Sequence, residues 1–231
     1  LSATSSVWGA HFIQTADIDA SATSDWDESA GFSPIGNETT AFTGSYDGQD
    51  YQVSNLFIRR PAQDNVGFFG YVVSGVISNL TLSAVDIEGK DQTGALAGYL
   101  KGSRGDSSYV IACHVSGTVT GDRRVGGMAG ENEYLRIIGS SGGCNVSGNN
   151  GVGGLVGASS SASLYFSYST GSVSGSLSSG LIGSSWGSDI QNCYSTATVS
   201  GTDVSGLVSY LVSGTIENCF CTGSVSGSGN T

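Results

Sequence analysis

Five acidic side chains crowd the early part of the chain: Asp17, Asp19, Asp25, Asp27 and Glu28, with Trp26 among them. Carboxylate oxygens gathered in this way are what calcium binds. Their order fits no defined calcium loop, so no metal-binding residue is assigned. The two histidines are His11 and His114. His114 follows Cys113 directly, which resembles a thiol–imidazole couple, but adjacent strand residues face opposite ways and cannot act together. Glycoside hydrolysis needs two carboxyl groups converging across a cleft. Asp189 and Glu217 stand near equivalent points of successive sequence units and read as a solvated acidic edge. A β-helical polysaccharide lyase would need Lys or Arg to take up a proton and bind uronates, and no basic residue follows Arg136. The expectation is a chain with no catalytic residue, no cofactor and no bound metal.

Four further motifs carry other chemistry. Arg104-Gly105-Asp106 has the residues of an integrin-type ligand, but Gly-flanked charges are ordinary loop composition. Asn37-Glu38-Thr39, Asn79-Leu80-Thr81 and Asn145-Val146-Ser147 are glycosylation sequons. Asn55, Asn79, Asn192 and Asn218 recur at what reads as one turn, where stacked amides would bond from one unit to the next. Of the five cysteines, Cys113, Cys193 and Cys219 occupy one position of their units, with Ser140 and Ser167 completing the column. They read as a ladder of small buried thiols. A Cys193–Cys219 disulfide would also be within reach, and Cys221 should share the face of Cys219.

What must position these groups is a repeat. One apolar, glycine-bounded phrase returns as Val66–Gly70, Thr93–Gly98, Val125–Gly130, Val152–Gly157, Ser179–Gly183 and Ser205–Ser209. Its last positions (70, 98, 130, 157, 183, 209) are separated by 28, 32, 27, 26 and 26 residues. Such a period denotes stacked copies of one small unit. Between the phrases the pattern has period two. Cys193, Ser195, Ala197 and Val199 share one face, and Tyr194, Thr196 and Thr198 the other, as in a strand.

Each unit is too short to bury a core alone, so the units must stack in parallel. Parallel crossovers in one sheet are overwhelmingly right-handed. The predicted fold is all-β, a right-handed parallel β-solenoid (β-helix) of about six to seven short rungs. Residues 1–64 are expected to form an irregular N-terminal cap and the first rungs, and residues 65–231 the repeat region of the same single domain. A short capping helix is expected near Trp8 to Gln14.

Charged residues make up 12% of the chain and its net charge is −11. Nucleic acid and anionic lipid need clustered Lys and Arg, so neither is an expected partner. No run of 18 apolar residues is present, which argues against membrane insertion. The Ser, Thr, Gly and Asn content suits an extracellular setting, and a start at Leu1 suits a processed or excised segment. The last unit stops part-way at Ser224–Thr231 without a charged or Pro-rich cap. Either a longer array is cut there, or the open edge is meant to pair with another molecule.

The run Phe42-Thr-Gly44-Ser-Tyr-Asp47-Gly48, then Val53-Ser-Asn55-Leu56, then Gly67-Phe-Phe-Gly70 and the serial Gly-Leu-x-Gly phrases resemble the bacterial GLUG-repeat proteins. The resemblance covers residues 8 to 231, with literal Gly-Leu-x-Gly at Gly154–Gly157 and Gly180–Gly183 and four near matches. It implies a β-helix in a large secreted or surface-anchored polypeptide, such as an adhesin-like protein, and carries over no catalytic residue. The functional expectation is a non-enzymatic extracellular or cell-surface structural or adhesive solenoid. Its expected partners are copies of itself stacked head to tail into a filament, other surface proteins, or glycans. The alternative is a carbohydrate-binding or carbohydrate-active β-helix protein.

Overall fold

A computed structural model describes residues 1–105 and 108–229. The chain winds through about seven turns of a parallel β-solenoid, and every ladder between its strands is parallel. Among the described residues helix is confined to short 3₁₀ turns at Ser5–Val7, Ser21–Asp25 and Asp27–Ser29. Each full turn has three faces. The first is built from Phe69–Val73, Ala97–Lys101, Ala129–Glu133 and Val156–Ser160. The second runs from His11–Ile13 and Ser45–Asp47 through Val76–Ser78, Tyr109–Ile111, Arg136–Ile138 and Ser163–Tyr165. In the last two turns these faces merge into single strands, Ile182–Gln191 and Val208–Glu217. The third face includes Thr81–Glu88, His114–Thr120 and Ser141–Gly153, and continues to Phe220–Cys221.

Register lines identical positions up along the axis. Phe69, Ala97, Ala129, Val156, Ile182 and Val208 form one inward column. Tyr46, Ile77, Val110, Ile137, Leu164, Ile190 and Ile216 form another. The interior is one apolar cluster extending from Trp8 to Val204. Its character changes along the axis, because the column that begins with Val72 and Leu100 continues as Asn132, Ser159 and Ser185. These polar side chains are buried too. Ser159 Oγ lies 2.9 Å from Ser188 Oγ, and Asn132 Nδ2 donates to the Leu135 carbonyl at 3.1 Å.

The closing glycine of the repeat phrase has a steric cause. A Cβ built on Gly157 would lie 2.5 Å from Val125 N and 2.7 Å from Gly130 O. On Gly98 it would meet Val66 N at 2.5 Å, and on Gly183 Val152 N at 2.6 Å. These are backbone atoms of the neighbouring coil, which no rotamer change can move aside.

Two local expectations change. No helix forms over residues 8–14; His11–Ile13 is a strand, paired in register with Ser45–Asp47. An available strand edge outweighs the weak helical preference of a segment containing Gly9. The recurring asparagines are not one amide ladder. Asn55 aligns beside Ala84, one residue past the Ser54–Ser83 pair, whereas Asn79, Asn192 and Asn218 turn a different corner. All four have positive φ, between 52° and 58°. Asparagine recurs because it tolerates the left-handed region better than most residues.

Candidate functional site

The cysteine and serine column is a hydrogen-bonded ladder. Cys113 N–H donates to Ser140 Oγ at 3.2 Å, Ser140 N–H to Ser167 Oγ at 3.1 Å, and Cys193 N–H to Cys219 Sγ at 3.4 Å. Each hydroxyl or thiol donates back to the carbonyl two residues earlier, as Ser140 Oγ does to Ile138 O at 2.9 Å and Cys193 Sγ to Gln191 O at 3.2 Å. All five cysteines are free thiols. Burial pushes Cys113, Cys144 and Cys193 up to about 12. They are therefore held as neutral thiols, poor nucleophiles at neutral pH. Cys221 is exposed on the last coil.

Asp17, Asp19 and Asp27 are each engaged by a different partner and not by each other. Asp17 Oδ1 accepts from Gln52 N–H at 2.9 Å. Asp19 Oδ1 accepts from Asn55 Nδ2 and from Ser21 N–H, both at 3.0 Å, and these bonds hold its carboxyl below the usual range. Asp27 pairs with Arg60 at 2.6 Å. Among the described residues no three His, Cys, Asp or Glu side chains converge as metal ligands would. His11 and His114 each place Nδ1 2.8 Å from a serine hydroxyl on the next coil, Ser45 and Ser141. Cys113 is buried while His114 is exposed, so the sequence neighbours do face apart.

Asp189 and Glu217 are not equivalent. Asp189 aligns with Thr215, whose hydroxyl it accepts at 2.8 Å, and Glu217 aligns with Gln191. Of the sequons, only Asn37 sits in an exposed turn, where its Oδ1 accepts from Thr39 N–H at 3.0 Å. Asn79 Nδ2 is spent on Asp47 Oδ1 at 3.0 Å, and Asn145 Oδ1 accepts from Ser172 Oγ at 2.9 Å. In Arg104-Gly105-Asp106, Asp106 lies outside the described residues. Arg104 itself lines a shallow recess of about 420 Å³ with Arg136 and Tyr134.

Two features were not anticipated. The N-terminal end carries an open, mostly apolar pocket of about 480 Å³ lined by Phe12, Ile18, Trp26, Phe32, Tyr46 and Leu56. Its polar groups satisfy one another: Tyr46 Oη donates to Gln14 Oε1 at 3.1 Å, while Gln14 Nε2 donates to Ala16 O and Gln52 O. Burial raises the Tyr46 phenol to about 12. The cluster of Phe12, Phe32, Phe42 and Phe68 was the available sequence signal. The second feature is a set of straight outward rows on the third face. His114, Ser141, Tyr168, Tyr194 and Phe220 form one row, and Thr118, Asn145, Ser172 and Thr198 another. Tyr168, Tyr194 and Phe220 stack face to face, with ring centroids 4.8 and 5.3 Å apart and interplanar angles of 2° and 7°.

No protein-family profile matches the chain. Over 130 residues it is 42% identical to halomucin of Haloquadratum walsbyi, covering 54% of this chain and 1% of that protein. Over 106 residues it is 31% identical to the immunoglobulin A1 protease of Streptococcus sanguinis, covering 46% of this chain and 5% of that enzyme. The chain thus spans a small fraction of these relatives. Among solved structures, a Bacteroides ovatus protein provisionally named an immunoglobulin A1 protease superposes with a TM-score of 0.75. The match covers 96% of this chain and 71% of that one, at 21% identity. The two share the β-helical fold. At that identity the likeness speaks of fold alone.

Proposed function

We propose that this chain is part of the non-catalytic β-solenoid body of a large secreted or cell-surface protein, and that it serves as a structural and adhesive surface. The observation that carries this reading is the parallel register that aligns Thr118, Asn145, Ser172 and Thr198, and Tyr168, Tyr194 and Phe220, on the third face, which sets hydroxyl, amide and aromatic side chains in rows one coil apart. Rows of uncharged hydrogen-bonding groups at a fixed repeat suit an extended, repetitive partner, for which glycans are the leading candidate. The glycine-closed phrases, of the kind found in GLUG-repeat surface proteins, and the similarity to segments of halomucin and a streptococcal protease support the extracellular setting. The engagement of Asp17, Asp19 and Asp27 and the neutral buried thiols support a non-enzymatic role.

The test is binding of the purified chain to immobilised polysaccharides and mucin-type glycans, beside a variant carrying T118A, S172A and T198A. Binding that the variant loses, with its fold intact by circular dichroism, is the expected result. Cleavage of any polysaccharide or of immunoglobulin A1 by the parent, abolished by D25N or D27N, would overturn the non-enzymatic reading.

A further inference from the structure

Four consecutive coils of the third face present the same two outward positions with no charge among them. One row is Thr118, Asn145, Ser172 and Thr198. Two residues further along each strand lies a second row, Thr120, Ser147, Ser174 and Ser200. The first row is exposed at every position, and the second is half-buried to exposed. Val119, Val146, Val173 and Val199, buried between the rows, fix each strand against the core. Irregularities of register on this face fall before Gly117 and after Ser147, outside the paired positions. The rows continue to Asp86 on one side and to Ser226 on the other, so the array lies inside the stack of coils.

The protein leaves much of this array unused. Thr120 and Ser147 bond hydroxyl to hydroxyl at 3.2 Å, and Ser172 Oγ donates to Asn145 Oδ1 at 2.9 Å. The hydroxyls of Thr118, Ser174, Thr198 and Ser200 have no protein partner among the described residues. Coils rise by about 4.8 Å and alternate strand positions lie about 6.8 Å apart, so the array is a flat lattice of donors and acceptors. At its early edge the lattice meets carboxylates, because Thr118 aligns with exposed Asp86 and Thr120 with Glu88.

We infer that this lattice binds a neutral, extended β-1,4-linked hexopyranose chain laid along the solenoid axis, one sugar ring to each coil. This names the ligand class of the adhesive surface proposed above and rests on that reading. Such a chain advances by close to one coil rise per ring and carries hydroxyls on both edges, so each ring meets one residue of each row. A single hydrogen bond between neutral groups contributes about 1 kcal/mol net, too little for one ring to hold. Several rings in register on strands already fixed in place add their contacts with little further ordering of the protein. A uronate or sialylated chain would bring carboxylates toward Asp86 on a protein of net charge −11, with no basic residue in either row to offset them. The neighbouring aromatic row is not a stacking platform for sugars, since Tyr168, Tyr194 and Phe220 turn their ring faces to one another and offer their edges outward.

The experiment is isothermal titration of the chain with β-1,4-linked gluco-oligosaccharides of two to six rings, beside the same oligosaccharides oxidised to uronates at C6. The expected affinity rises tenfold or more from two rings to four and levels off beyond five, and the uronates bind at least tenfold more weakly. S174A and T198A remove hydroxyls with no protein partner. Each should weaken the four-ring ligand by about fivefold, the effect of one net hydrogen bond, with circular dichroism unchanged. S160A, on the first face, should leave the affinity as it was. Equal affinity at every length, equal affinity for the uronates, or binding that survives S174A with T198A would overturn the inference and leave an adhesive surface for other glycans. Failure of every glycan to bind, the immobilised polysaccharides and mucin-type glycans included, would overturn the adhesive reading with it.

Discussion

Replacing Gly157 by alanine adds one methyl group, and the structure says where it must go. The new Cβ would lie 2.5 Å from Val125 N and 2.7 Å from Gly130 O, and closer still to the Arg124 carbonyl carbon. Ordinary carbon contacts begin near 3.4 Å, so the coil would have to shift by most of an ångström against ladders that fix it on both sides. Overpacking of this kind costs about 1–3 kcal/mol where side chains can yield. Here backbone must yield, so the upper end, about 3 kcal/mol, is expected. For a chain of this size that is a fall in midpoint of roughly 6–12 °C.

The control is G143A, at an outward position whose Cβ would sit 3.3 Å from the movable Thr170 hydroxyl. Alanine there should be neutral or stabilise by up to about 1 kcal/mol, because glycine in a strand loses more backbone freedom on folding. Urea and thermal unfolding followed by circular dichroism give both numbers. If G157A costs less than about 1 kcal/mol, or G143A costs as much as G157A, close coil contact is not why the phrase closes on glycine.

Two more outcomes concern the buried thiols and one ion pair. With their thiols raised to about 12, Cys113, Cys144 and Cys193 should resist iodoacetamide at pH 8 until the protein unfolds. Exposed Cys221 should react in the native state, and peptide mass spectrometry showing Cys113 labelled as fast as Cys221 would contradict the buried ladder. Asp91, half of a 2.7 Å pair with Arg123, has its carboxyl held below the usual range chiefly by the hydrogen bond from that guanidinium. A depressed folded value means that the unfolded chain binds more protons in acid, so this stability is present above about pH 4 and lost as pH falls through the folded value. D91N should therefore cost about 1 kcal/mol at pH 7, with Arg123 largely solvated, and next to nothing at pH 2. Denaturant midpoints at the two pH values test this, and a difference that persists in acid would remove the ion pair as its cause.

What the sequence determined by itself is whatever repeats locally. The 26-to-32-residue return of a glycine-closed phrase, and period-two alternation such as Cys193, Ser195, Ala197 and Val199 against Tyr194, Thr196 and Thr198, can be read within a single unit. Stacking such units in parallel is the one way they bury a shared core, so the solenoid and the Cys/Ser column were legible. The structure alone decided whatever depends on the neighbouring coil. Asp91 meets Arg123, 32 residues away, and Asp19 meets Asn55, 36 residues away. His11–Ile13 is a strand because Ser45–Asp47 offers it an edge. Ala84, Ala112 and Leu177 take positive φ at corners where no turn-forming residue announces one. Local preferences amount to fractions of a kcal/mol per residue, whereas ladders and packing from the coil above and below act on every position at once. Strand identity and repeat are therefore written along the chain. Which carboxylate is engaged and where the end pocket opens are settled only when the coils come together.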